Sequence, residues 1–398
     1  MIRSNIKQVP AAPRTKKAAE QYRRPRKKAA AYIALLCVCI CGILGTTAYL
    51  LFIYSNIPFV AYWRSIYIET AMTTGDHQWL ATAFIPRDTI QSVMQDKQSG
   101  SDNIGGQEHL SLANQPSWLW ENGSAISPEP STPGASEQPD DILGQRGLNV
   151  GDTDYAGNKV LINDIEEGLV ISEIVGNRYK GMVMLVDDPS RVILGCTKTK
   201  GVQGTRIVDM MEEYGAVAGI NASGFADWGG NGTGGEVIGL SCSSGEYWGT
   251  YVYGYASIVL TGSDKLVAGN FSSWSSYDIR DGMQFGPVLI ANGVVQVTGS
   301  AGYGLQPRTA IGQREDGVII MLIVDGRDPL YSVGCTVGDM AQIMASYGAV
   351  NAGCCDGGSS TVLAYGGQVL NRNSSANPKY GRRIPNAFLV MSKKDSQE

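Results

Sequence analysis

The sequence predicts an α+β protein: mixed β-sheets with two repeated helix–strand units, preceded by one transmembrane helix and a disordered linker. Three observations carry this. The C-terminal half is a series of short apolar runs bounded by Gly, Asn and Asp, the pattern of strands and tight turns. Two segments share a helical apolar spacing and run into the same four residues. One uncharged apolar stretch near the N-terminus is long enough to cross a bilayer.

Residues 1–28 form a basic tail, holding ten Lys and Arg against Glu20 alone. Residues 29–54 are uncharged and apolar, and no charge follows until Arg64. A cleaved signal peptide is the competing reading, but its apolar core spans only about 7–15 residues before a small-residue cleavage site. An uncleaved anchor with a cytoplasmic N-terminus and an extracellular domain is therefore expected. Cys37, Cys39 and Cys41 read as membrane-buried residues. Residues 55–95 form a juxtamembrane segment in which Phe59, Tyr62, Trp63, Tyr67 and Trp79 suit the headgroup boundary. Residues 96–147, rich in Ser, Pro, Gly and acids, cannot bury enough surface to order themselves and read as a flexible linker.

Residues 148–394 read as one domain. Strands are expected at 182–186, 191–194, 255–260, 288–290, 318–324, 361–364 and 387–391. Ile207, Met210, Met211 and Tyr214 fall at i, i+3, i+4, i+7, and Met340, Ile343, Met344 and Tyr347 repeat that spacing. Both helices run into Tyr-Gly-Ala-Val, then a strand and a small polar loop, so the two loops are expected on one shared face.

Charge and histidine content exclude several functions. The tail's bases set aside, 22 basic face 36 acidic residues, a poor polyanion binder, so no nucleic-acid partner is expected. The only histidines are His77 and His109, so the domain can build neither a Ser-His-Asp triad nor a His-ligated zinc site. Proton transfer falls to carboxylates, a cysteine or a tyrosine. Cys196, Cys242, Cys335, Cys354 and Cys355 are compatible with disulfides in an oxidising compartment, though five leaves one over; Cys354-Cys355 read as two small buried residues rather than an adjacent bridge, and a thiolate nucleophile would want a neighbouring base.

Four loops carry candidate chemistry. Asp356-Gly357-Gly358-Ser359-Ser360 combines a carboxylate, close backbone approach and two hydroxyls, and could hold an anion. Val324-Asp325-Gly326-Arg327-Asp328 closes the strongest strand. In Gln306-Pro307-Arg308-Thr309-Ala310, Arg308 joins Arg327 as a natural phosphate clamp, because guanidinium is always charged and binds bidentately. The fourth is Asn221 with Ser223 and Phe225, followed by a glycine-rich run. Its formal G-x-G-x-x-G (Gly230, Gly232, Gly235) precedes a strand-like 236–240 and no helix, so it reads as a turn, not a dinucleotide site.

In order, Asn221-(x)3-Phe225, Gly234-Gly-Glu-Val-Ile-Gly-Leu, Pro307-Arg-Thr-Ala-Ile-Gly312, Val324-Asp-Gly-Arg327 and Cys355-Asp-Gly-Gly-Ser-Ser-Thr361 resemble the phosphodiester glycosidase family, of the N-acetylglucosamine-1-phosphodiester α-N-acetylglucosaminidase type, over about residues 165–393. The anchor, and residues 70–82, resemble those of membrane-anchored bacterial members. The chain departs in having one aromatic after Asn221 where two are usual, and Cys354-Cys355 where Asn-Leu is usual.

The resemblance implies hydrolysis of the bond between an anomeric carbon and a phosphodiester oxygen in a cell-envelope polymer or exopolysaccharide. Asp356 and Asp325 are implied as catalytic, and Arg308, Arg327, Asn221, Ser359, Ser360, Gly357 and Gly358 as substrate- or phosphate-binding. The resemblance fixes no cofactor; Ca²⁺ or Mg²⁺ on Asp and Asn oxygens is compatible, although no loop has the spacing of a calcium motif. The competing function is a non-catalytic polysaccharide-binding or envelope-assembly protein on the same fold.

Overall fold

The computed structural model describes residues 16–74, 78–103, 141–227, 232–271, 273–275 and 277–393. The first fifteen residues of the basic tail, linker residues 104–140 and residues 228–231 of the glycine-rich turn lie outside this set. The chain divides into two units, Met1–Arg64 and Ser65–Glu398.

In the first unit a helix spans Lys16–Tyr54. Its part Ala31–Tyr54, 24 residues of mean hydropathy 2.3, is among the described residues the one helix long and apolar enough to cross a membrane or to serve as a signal sequence. Arg64 donates to the carbonyls of Phe52 (3.1 Å), Ile53 (2.8 Å) and Ser55 (3.0 Å), where the helix runs out of internal partners.

Among the described residues the second unit holds three sheets and one short two-stranded pair. An eight-stranded sheet runs, edge to edge, Val160–Asp164, Leu169–Val175, Lys180–Val186, Ile319–Val324, Arg308–Arg314, Ala349–Cys355, Val288–Ala291, Val294–Val295. A five-stranded sheet places Ala216–Asn221 beside Asn386–Met391, with Leu363–Tyr365 and Val192–Cys196 flanking them. A second five-stranded sheet is built on Ala256–Thr261 and Ile279–Phe285.

The layers follow from side-chain alternation. Every residue of Ile319–Val324 is buried. Ile320, Leu322 and Val324 face the helix Val337–Ser346 through Met340 and Met344. Ile319, Met321 and Ile323 face Leu194, Ile220, Phe388 and Ile258 of the smaller sheets. On the far side, Leu389 and Ala387 meet Ile207, Met210 and Met211 of the helix Ile207–Tyr214. The result is helix, sheet, sheet, helix, with the third sheet closing the central core. Each large side chain buried this way contributes about 1.5–3 kcal/mol against exposure.

The α+β class holds, and both repeated units fold as helix then strand: Ile207–Tyr214 into Ala216–Asn221, and Val337–Ser346 into Ala349–Cys355. The second helix starts at a capping box, in which Thr336 Oγ1 accepts from Asp339 N (3.1 Å) and Asp339 Oδ2 accepts from Thr336 N (2.9 Å). The seven expected strands are all present, with shifted ends.

Three details differ from expectation. All recorded strand pairs are antiparallel, so the sheets are not mixed in direction. The helical crossover does join two strands that run the same way, Ile319–Val324 and Ala349–Cys355, but Arg308–Arg314 lies between them and opposes both. Residues 236–240 do not form a strand: Val237 bridges Phe225, Gly201 N donates to Gly235 O (2.7 Å), and the strand begins at Leu240. Finally, residues 141–147, at the C-terminal end of the expected linker, pack on the domain. Residues 96–103 continue the helix Arg87–Asn103. Leu143 is buried in the core, and Gln145 Nε2 donates to Asn163 Oδ1 (2.9 Å) and Leu169 O (2.9 Å).

Candidate functional site

The register of the large sheet gathers the candidate loops at one end. Arg308 opens its strand opposite Val324, directly before Asp325, and Thr309 lies opposite Cys355, directly before Asp356. The segment 306–310, read as a loop from its sequence, thus enters the sheet at Arg308, because strong strands on both sides supply the pairing its own composition does not favour.

The second strand end, at Asn221, comes from the neighbouring sheet. Asp356 N donates to Ala222 O (2.8 Å). Asn221 is 1% exposed. Its Nδ2 donates to Asp356 O (2.7 Å), and its Oδ1 accepts from Thr309 Oγ1 (2.8 Å) and Val362 N (3.0 Å). The two loops of the repeated units therefore touch, and Asn221 is the rivet between them; its carboxamide is spent inside the protein.

Asp356 is half-buried. Its carboxyl is pushed up to about 6, chiefly by burial, against the opposing pull of Ser360, Gly357 N and the Arg382 charge. Gly357 N donates to Asp356 Oδ1 (2.9 Å) and Gly358 N to Pro307 O (2.8 Å). These two N–H groups face protein acceptors. At Gly358, φ is +63° and a Cβ would lie 2.9 Å from Arg327 Nη2, so only glycine lets that guanidinium rest against the loop.

Arg327, itself at φ +64°, donates from Nε (3.3 Å) and Nη2 (3.0 Å) to Gln306 Oε1. Arg308 Nη2 donates to Tyr303 O (2.7 Å) and Gly304 O (3.1 Å), its guanidinium lies 5.9 Å from the Tyr303 ring centre, and its Nε is buried with no hydrogen-bond partner. Both arginines are held at their flanks.

A third arginine completes the group. Arg382 Nη1 pairs with Asp227 Oδ2 (2.6 Å) and donates to Ser359 Oγ (3.3 Å), and its guanidinium stacks 4.7 Å from the Phe225 ring centre. Burial alone would raise the Asp227 carboxyl, but Arg382 and Gly232 N outweigh it and hold the group below its usual value. Sequence reasoning passed over Arg382 because nothing local separates it from Arg383, whose Nη1 instead serves Gly204 O (3.2 Å).

Asp325 is set apart from solvent at 1% exposure. Asn371 Nδ2 donates to its Oδ1 (2.8 Å), while Arg372 N (3.1 Å) and Tyr331 OH (3.3 Å) donate to its Oδ2. Burial raises its carboxyl, and these three donors oppose the rise. Arg372 stacks on Tyr331 (4.9 Å) and pairs with Asp328 Oδ2 (2.9 Å). Asp325 therefore organises the 371–372 segment behind the site.

No group of three or more His, Cys, Asp or Glu able to hold a metal occurs among the described residues. The side-chain oxygens of Asn221 and Asp325 accept from protein donors. The five cysteines of the domain are buried and free. Cys354 and Cys355 point to opposite faces of their sheet, as alternation requires.

The SPbeta prophage-derived uncharacterized protein YomE of Bacillus subtilis (strain 168) is 33% identical to this chain over 200 residues, 47% of this chain and 29% of that protein. The chain thus spans under a third of that relative's length. The catalytic domain of zebrafish N-acetylglucosamine-1-phosphodiester alpha-N-acetylglucosaminidase, auto-inhibited by its pro-peptide, is 16% identical, with 56% of this chain and 82% of that chain aligned at a TM-score of 0.45. A hypothetical protein from Synechocystis is 17% identical, over 59% and 64% of the two chains, at a TM-score of 0.46. Residues 214–391, which hold Asn221 and every arginine and carboxylate of the site, match the phosphodiester glycosidase family model.

Proposed function

We propose that the protein hydrolyses a sugar-1-phosphodiester in a cell-envelope polymer or exopolysaccharide, outside a membrane in which residues 29–54 anchor it with the N-terminus in the cytoplasm. The family match supports a glycosidase-type activity. The ten basic residues ahead of the apolar helix support the orientation. The observation that carries the reading is Asp356, a carboxyl pushed up to about 6 in a loop bordered by Arg327, Arg308 and Arg382.

In this reading the guanidinium groups and Ser359 bind the phosphate. A water attacks the anomeric carbon and Asp356 takes its proton. The bond from that carbon to the phosphate oxygen breaks, and the phosphomonoester leaves with the electron pair. Because a phosphomonoester is a good leaving group, no strong general acid is needed, which suits a site without histidine. The arginines stabilise the charge that develops on the departing oxygen. Asp325 acts from behind, by fixing Tyr331 and the 371–372 segment.

The test is release of free sugar and phosphomonoester in equal amounts from a sugar-1-phosphodiester by the full chain in detergent. Asp356→Asn should lower kcat by about 10²–10⁴-fold, and Arg308→Ala should raise KM and lower kcat together. A wild type that releases no sugar while both variants still hold the polymer would replace this reading with that of a binding domain.

A further inference from the structure

We infer that Thr70, in the last turn of the helix Pro58–Met72, is a positioning residue for Arg308 and Arg327; this rests on the phosphate-binding role proposed above for the two arginines. The final carbonyls of a helix have no partner within it. Thr70 O is one of these, and Gln306 Nε2 donates to it (3.0 Å). Leu305 N donates to Thr70 Oγ1 (2.9 Å), which itself donates to Ile66 O (2.6 Å). One turn on, Thr73 Oγ1 lies 3.4 Å from Tyr303 O. At Gly304, φ is +60° and a Cβ would lie 2.5 Å from both Thr70 N and Thr70 Oγ1, so a side chain there would push the helix away.

The other side of this short loop carries the arginines. Tyr303 O and Gly304 O hold Arg308 Nη2, and Gln306 Oε1 holds Arg327. Gln306 is the clearest link. Its NH₂ must face the Thr70 carbonyl and its oxygen must face the guanidinium, because the reverse would oppose acceptor to acceptor and donor to donor. Thr70 thus orients the amide that orients Arg327, and its hydroxyl fixes the loop that clamps Arg308. A segment 235 residues away in sequence, on the stretch leading from the apolar helix, is part of how the anion site is set.

The experiment uses the full chain in detergent and reads inorganic phosphate affinity by calorimetry alongside steady-state kinetics. Thr70→Val keeps the shape and removes the hydroxyl. It should weaken phosphate binding and raise KM by about 3–10-fold, the worth of a hydrogen bond or two, with kcat within about twofold and only a modest fall in melting temperature from the stranded Leu305 N–H. Thr70→Ser should restore wild-type values. Gln306→Met cuts the other arm, the link from the Thr70 carbonyl to Arg327, and should produce a similar loss; because the two arms hold different arginines, the double variant's loss should approach the product of the two. Unchanged phosphate affinity in Thr70→Val, or a loss that Thr70→Ser does not repair, overturns the inference. Should wild type bind phosphate yet cleave no sugar phosphodiester, and Thr70→Val still weaken that binding, the hydrolase reading falls and the positioning role stands. A wild type that binds no phosphate removes both.

Discussion

The side-chain amide of Asn221 donates to the main-chain carbonyl of Asp356 at 2.7 Å, tying together the ends of strands that belong to different sheets. The candidate base is therefore held by a contact between the two repeated units. Asn221 makes two further buried contacts at Oδ1, to Thr309 and Val362.

Asn221→Ala should destabilise the fold by about 2–4 kcal/mol, because it strands buried groups as well as losing their bonds. Chemical denaturation measures this. A change within about 0.5 kcal/mol would show that the two loops are held together by other means.

Asp356 should give the pH–rate profile an acid limb at about 6, with activity rising as the carboxyl ionises. Stability runs the other way. The folded carboxyl keeps its proton to about 6 while its ordinary value is 3.8, so over that window the folded state binds the extra proton and stability falls as pH rises. Asp356→Asn should remove the limb and, at neutral pH, stabilise the protein by on the order of 1–2 kcal/mol, a figure reduced because the group keeps some contact with solvent. Melting curves at pH 4 and pH 7.5 check this; the variant's advantage should exist only at the higher pH.

Arg382 pulls the Asp356 carboxyl down through its charge. Arg382→Gln should move the acid limb to higher pH and also release Asp227 from its ion pair. A limb that stays in place, or moves to lower pH, contradicts the arrangement.

Gly358→Ala places a methyl group against Arg327 Nη2 at positive φ. The strain should cost about 1 kcal/mol or somewhat more, and displacement of the guanidinium should weaken inorganic phosphate binding several-fold. Gly366→Ala, at φ +58° with open space around it, carries the same backbone strain and should leave phosphate affinity unaltered.

What could be read directly from the chain was whatever depends on near neighbours. Apolar spacing located the helices Ile207–Tyr214 and Val337–Ser346, and runs of branched residues located strands such as Ile319–Val324. The absence of charge marked the Ala31–Tyr54 stretch. The ordered loops pointed to Asp325, Asp356, Arg308 and Arg327 before any coordinates. Tertiary structure alone decided the rest. It made Arg308 the first residue of a central strand, turned Asn221 into a rivet, brought Arg382 to Ser359 and left Arg383 outside, and seated Thr70 against residues 303–306. These contacts join residues up to 236 positions apart, and their partners are set by sheet register and by which backbone groups remain unpaired. Such quantities belong to the packed molecule, since a hydrogen-bond donor carries no mark in its own sequence of the acceptor that folding will bring to it.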